Sequence, residues 1–306
     1  MQLTIKPLPP FDFDLSAQIF SDGDGRMQRY EDGVYWQAIR LGGRLALIRG
    51  RSTGTIADPQ LSVKIEPEDA FSLDNKANIE TYVIRLFNLK QDLLAFYEAV
   101  KGDDIMAQIT KHLWGLKSPT TSTVFEALID SIIEQQISLK AAKSMQRRLI
   151  ETFGDALILG AGTYFAFPSP ERLAAATIEE LRACGLSGRK AEYVRGAGKL
   201  VAEGLDLGAL QACDEAAIVE ELSKIRGVGL WTAEMTMIRG MQKYNVIPAD
   251  DLGLRRVISH YYYGGEKIDA KMARRIAQAW AGWRGLASYY LIVAEQLGIE
   301  AGQVGR

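Results

Sequence analysis

The spacing of apolar residues changes once along this chain, near residue 89. Before that point Leu3-Thr-Ile, Gly33 to Arg40, Arg44 to Gly50 and Leu61 to Ile65 alternate or nearly alternate, the pattern of half-buried strands. Gly42-Gly43 separates the second run from the third, and two residues that reach positive φ cheaply suit a tight hairpin. Asp14 to Phe20 and Asn78 to Phe87 read as short helices over that sheet. After residue 89 the period is helical: Val124, Phe125, Leu128, Ile129, Ile132 and Ile133 share one face. Ser138 suits the N-cap of the next helix, with Gly154 as its stop, and Pro170, Thr177 and Asp214 open others. The expected fold class is α+β, an N-terminal antiparallel sheet domain over residues 1–88 followed by an all-α core. Within that core, residues 89–118 and 241–306 form one helical domain and residues 119–240 a central one.

Composition excludes several classes. At 306 residues the chain can bury two or three cores. No apolar run approaches the roughly 20 residues that span a bilayer, so no membrane partner is expected. Met1-Gln-Leu-Thr-Ile-Lys-Pro lacks the basic-then-apolar pattern of a signal peptide, and a cytoplasmic location is expected. Two cysteines, Cys184 and Cys213, are too few for an iron–sulfur cluster or a zinc ribbon, so no metal is expected. The net charge of −2 means that any nucleic-acid contact must be local. His112 and His260 lie beside no nucleophile motif.

Helical periodicity between Leu222 and Gly240 breaks at Gly227-Val228-Gly229 and resumes at Leu230. Two glycines let the backbone turn sharply while Val228 plugs the space between helices. The turn presents successive N–H groups at a helix start, an anion site suited to a phosphate and indifferent to base sequence. Alone, such a turn fits any helix–helix corner equally well. Some twenty residues later, Val246-Ile-Pro-Ala-Asp-Asp-Leu-Gly-Leu-Arg-Arg256 feeds two carboxylates from a proline-led loop into a new helix.

Hairpin and loop in this register resemble the helix-hairpin-helix, endonuclease III-like superfamily of DNA glycosylases. Within it the chain resembles the 3-methyladenine DNA glycosylase II family over nearly its whole length. Pro9-Pro-Phe-Asp-Phe13, Leu86-Phe-Asn-Leu, Gly185-Leu-Ser-Gly-Arg-Lys-Ala191 and Trp280-Ala-Gly-Trp-Arg284 match further family segments. The resemblance implies an N-terminal sheet like one half of a TATA-binding protein, a monomer, and double-stranded DNA with damaged bases as partner. Branches that also cut the sugar–phosphate backbone carry a lysine two residues after the second hairpin glycine. Trp231 stands there, and an indole cannot form a Schiff base, so base hydrolysis without β-lyase activity is expected. Met235 replaces a pocket tyrosine, Gln135-Gln136 stands near an apolar wedge, and Gly285 replaces a serine; these differences leave the lesion range open.

The residues supply matching chemistry. An N-alkylated purine leaves with its charge neutralised, and positive charge develops on the sugar. A carboxylate in a dry pocket stabilises that charge and orients water. Asp251, followed by Leu254 in the spacing Asp-x-x-apolar, takes the family's catalytic place; Asp250 is then an N-cap or loop-fixing residue, and the alternative catalyst. A flipped cationic base is read by stacking on electron-rich rings. The candidates are Trp231 and Trp283, with Phe13 and Met235 as further lining, although tryptophans also serve as plain core. Gln135 and Gln136 fall at a helix break where a long polar side chain can enter the duplex, Gln136 being favoured.

Gly227, Val228, Gly229, Arg226 and Arg255 are assigned to DNA contact. Arg189, Lys190, Arg195, Arg239, Lys243 and Arg256 are further cations from which phosphate contacts would come. No cofactor is expected, though hairpin carbonyls could hold a monovalent cation. Two rival readings remain, an oxidised-purine DNA glycosylase and a non-catalytic helix-hairpin-helix protein that only grips DNA. The first is opposed by Trp231; the second gives no reason for an aspartate pair after Pro248. A phosphodiester-cutting nuclease would need a metal-spaced ligand cluster that the sequence lacks.

Overall fold

The computed structural model describes residues 1–21, 27–67 and 76–301. The first unit holds β1 (Gln2–Ile5), α1 (Phe13–Phe20), β2 (Gln28–Glu31), β3 (Val34–Leu41), β4 (Arg44–Ser52), β5 (Leu61–Glu66) and α2 (Lys76–Leu86). The strands form one antiparallel sheet in the order β1-β5-β4-β3-β2. Leu41 pairs with Arg44 across Gly42 and Gly43, whose φ of 54° and 80° give the two-residue hairpin its positive-φ corner. Strand β2 was not anticipated: Gln28-Arg-Tyr-Glu31 is a polar edge with no apolar stripe. Leu3, Tyr35, Ile48, Leu61 and Ile65 pack with Phe13, Ile79, Val83 and Phe87 in one core.

The remainder is helical: α3 (Leu93–Val100), α4 (Asp104–His112), α5 (Val124–Glu134), α6 (Leu139–Phe153), α7 (Pro170–Ala175), α8 (Ile178–Ala183), α9 (Gly188–Ala202), α10 (Glu215–Ser223), α11 (Leu230–Met241), α12 (Leu252–Tyr263), α13 (Ala270–Ile276) and α14 (Arg284–Gln296). The caps read from sequence form. The side chains of Ser138, Thr177 and Asp214 accept from the backbone N–H three residues on, each worth about 0.5–2 kcal/mol. One feature departs from a purely helical core. Strands β6 (Asp155–Leu159) and β7 (Gly162–Ala166) make a hairpin between α6 and α7. It docks on the sheet domain, with Tyr164 edge-on to Trp36 at 5.0 Å and Asp155 paired with Arg40.

The helices enclose two hydrophobic clusters. One joins α5, α6, α9, α10 and α11; the other joins α3 and α4 to α12, α14 and the segment around Ile247. Lys117 lies wholly buried at the junction with the sheet domain. Its Nζ donates to the carbonyls of Leu89 and Gln91, each at 2.9 Å, and sits 5.7 Å from the Phe11 ring. Burial lowers its pKa to about 7. Among the described residues, no helix is long and apolar enough to cross a membrane.

Candidate active site

The hairpin is fixed from both sides. Gly227 has φ +90°, and a Cβ there would lie 2.3 Å from the Tyr193 ring, so both conformation and space demand glycine. Val228 is buried in the central cluster, as its plugging position predicts. Gly229 occupies the N-cap of α11 without a side-chain cap, which leaves the first N–H groups of that helix open. Gln135 reaches the groove wall with its side chain already engaged: its Nε2 donates to the Gly227 carbonyl and to Thr232 Oγ1, both at 2.9 Å. It braces the hairpin. Gln136, next along, is exposed with φ +55° and stands at the break between α5 and α6.

The proline-led loop closes on itself through Ala249 N–H to the Ile247 carbonyl and Asp251 N–H to the Pro248 carbonyl. It delivers the two aspartates to different fates. Asp251, rather than Asp250, is the N-cap of α12: its Oδ1 accepts from Leu254 N–H at 2.8 Å. Its Oδ2 accepts from Trp231 Nε1 at 3.2 Å. Asp250 is 57% exposed and pairs with Arg274 at 3.1 Å, the loop-fixing role that the sequence allowed it.

Asp251, Trp231, Met235, Gly229, Gln135 and Gln136 all line one open groove of about 2060 Å³ between the sheet domain and the helices. Six assigned residues do not: the hairpin residues Arg226, Gly227 and Val228, and Phe13, Trp283 and Arg255. Phe13 is 3% exposed in the core of the sheet domain, 5.5 Å from Phe87. Trp283 packs against Phe96 at 5.7 Å, in the cluster that joins α3 and α4 to α12 and α14. Its neighbour Trp280 is fully buried and donates to Asp103. Arg255 is half-buried and outside the groove lining; Arg256 is in the lining and bonded to both oxygens of Glu295. Several other cations serve the fold: Lys190 caps the carbonyls of Ile133 and Gln135, and Lys243 bonds the Cys213 carbonyl. Arg226 is an exposed hairpin cation, 3.2 Å from Glu192.

A row of carboxyls was missed, although its spacing is plain in the sequence. Glu126, Asp130 and Glu134 fall at four-residue intervals on α5 and line the groove. Burial pushes the Glu126 carboxyl up to about 7, and burial with its two acidic neighbours pushes Asp130 well above the usual range. Glu134 is held by Arg239 at 2.6 Å.

The description "HhH-GPD superfamily base excision DNA repair protein" matches residues 129–282, which contain the hairpin, the loop and α5 from Ile129 onward. This chain belongs to that superfamily. A DNA-3-methyladenine glycosylase of Bacillus subtilis is 28% identical over 91% of this chain and 93% of its own length. The structure of a 3-methyladenine DNA-glycosylase from Archaeoglobus fulgidus superposes with a TM-score of 0.84 at 27% identity, covering 96% of this chain and 98% of the other. A 3-methyladenine DNA glycosylase of the fission yeast Schizosaccharomyces pombe, solved with abasic DNA, matches 68% of this chain and all of its own, with a TM-score of 0.57 at 26% identity.

Proposed function

We propose that this protein is a DNA-3-methyladenine glycosylase of base excision repair that acts on double-stranded DNA, flips out an alkylated base and hydrolyses its N-glycosidic bond without β-lyase activity. One observation carries the reading: Asp251 stands at the groove with a different N–H donor on each carboxylate oxygen. Two donors fix the orientation of the carboxylate towards the groove, which is what stabilising a cationic sugar requires. The base leaves neutral, the sugar takes up positive charge, Asp251 stabilises it, and water adds at the anomeric carbon, its proton passing to Asp251 and on to solvent. No cofactor takes part.

The hydrogen-bonded edge of Trp231 faces the carboxylate, which leaves a ring face for the flipped base. A cationic base gains about 0.5–2 kcal/mol from such stacking. Met235, one turn on, completes the wall. The uncapped start of α11 and Arg226 take phosphates, and exposed Gln136 fills the vacated stack. The three hydrophobic clusters support the sequence division into a sheet domain and two helical domains. The working form is a monomer in the cytoplasm, on DNA.

The test is base release from methylated duplex DNA, with abasic sites read before and after alkali. Free 3-methyladenine with strand breaks only after alkali is expected. Breaks without alkali would show a lyase. Binding without release from any alkylated or oxidised duplex would favour a DNA-gripping scaffold.

A further inference from the structure

We propose that Arg274 is a positioning residue for this reaction, locking the aspartate loop to the hairpin helix and so fixing where the Asp251 carboxylate stands relative to Trp231. The proposal rests on the reading of Asp251 as the catalytic group. The Arg274 guanidinium, on α13, reaches three acceptors. Nη1 donates to Glu234 Oε1 at 3.0 Å and to the Ile247 carbonyl at 3.1 Å, and Nη2 donates to Asp250 Oδ2 at 3.1 Å. Ile247 and Asp250 bracket the loop whose next residue is Asp251. Glu234 lies one turn after Trp231 on α11, on the helix whose start forms the hairpin. A single planar fork therefore joins the element carrying the indole to the element carrying the carboxylate.

Glu234 is a costly residue in this place. It is 4% exposed, and its Oε2 has no hydrogen-bond partner among the described residues. Burial raises its pKa against the pull of Arg274. An apolar side chain of similar size would pack there without that penalty, so stability alone does not account for the pair. Registering the loop on the hairpin helix does. When phosphates hold the start of α11, the loop and Asp251 are carried in the same frame.

The experiment measures single-turnover release of 3-methyladenine from methylated duplex DNA, affinity for a duplex with a stable abasic-site analogue, and thermal melting. Arg274→Met should slow release by about 10²-fold while affinity stays within about twofold, because a misplaced carboxylate costs rate rather than binding. Arg274→Lys should fall between, since an ammonium is a point charge and does not span three acceptors. Glu234→Gln should slow release in the same sense, and Glu234→Gln with Arg274→Met should be no slower than Arg274→Met alone. If Arg274→Met fails to fold, Glu234→Gln and Arg274→Lys carry the test.

Rates that fall only in step with affinity or with the folded fraction would overturn the proposal. Asp251→Asn separates the two readings. If it retains activity, the catalytic assignment fails. If it loses activity while the Arg274 and Glu234 variants keep theirs, the positioning role alone fails.

Discussion

Trp231 donates its indole N–H to Oδ2 of Asp251 across 3.2 Å, joining the first turn of α11 to the N-cap of α12. The two residues are twenty positions apart, and each belongs to a different hydrophobic cluster's helix. The hydrogen bond gives the indole a role separable from the proposed stacking, and phenylalanine would separate the two. Trp231→Phe keeps a ring but removes the donor. Hydrogen bonds to charged groups are worth about 1.5–3 kcal/mol, so release should slow roughly 10- to 100-fold. Single-turnover kinetics beside abasic-duplex affinity measure this; an unchanged rate would leave the hydrogen bond without a catalytic part.

Asp251→Asn keeps an oxygen for the Leu254 N–H but turns its amide NH2 towards the Trp231 N–H, so the cap survives while the charge and the indole hydrogen bond are lost, and the melting temperature should fall only modestly. Loss of the carboxylate should cost at least roughly 10²–10³-fold in base release. Asp250→Asn removes a charge from the Arg274 contact and should slow release about as much as Glu234→Gln does, far less than Asp251→Asn; a reversal of the two aspartate results would transfer the catalytic role to Asp250.

Gly227→Ala should damage the hairpin. The added methyl meets the Tyr193 ring at 2.3 Å and sits at φ +90°. Strain of about 1–3 kcal/mol is expected, seen as a lower melting temperature. On the proposed phosphate role of the hairpin, affinity should fall equally for damaged and undamaged duplexes. A loss confined to damaged DNA would contradict that assignment.

Lys117 predicts a slope in the stability curve. Burial holds its folded pKa at about 7, below the 10.5 of a free lysine. Between these values the unfolded chain binds a proton that the folded chain has released, so stability rises as pH goes from about 7 towards 10.5 and is lost as pH falls back through 7. Urea titrations across that window should show the rise in the native protein and a flatter curve in Lys117→Met. Parallel curves would mean that the buried amine keeps its proton.

Local signals carried well from sequence to structure. Ser138, Thr177 and Asp214 cap helices, and Gly42-Gly43 turns a hairpin, because each depends on a few neighbouring backbone groups. The hairpin at Gly227 and the loop after Pro248 were legible for the same reason. The β6–β7 hairpin was not read: its runs are short, it follows a long helix, and it is held in part by Trp36 and Arg40 of a distant domain.

The sequence by itself determined the α+β order, the helix starts, the sharp turn that only glycine makes, and a carboxylate at the head of α12. These follow from side-chain period and backbone sterics, which act over a few residues. Tertiary structure decided which aromatic rings meet the groove. Phe13 and Trp283 are chemically fit for a base pocket, yet packing commits them to the sheet-domain core and to Phe96. It also decided that Gln135 braces the hairpin while Gln136 stays free of it, and that Arg274 reaches Glu234 and Asp250. Those outcomes depend on how separate helices orient their faces, a matter of three-dimensional packing that no short-range pattern encodes.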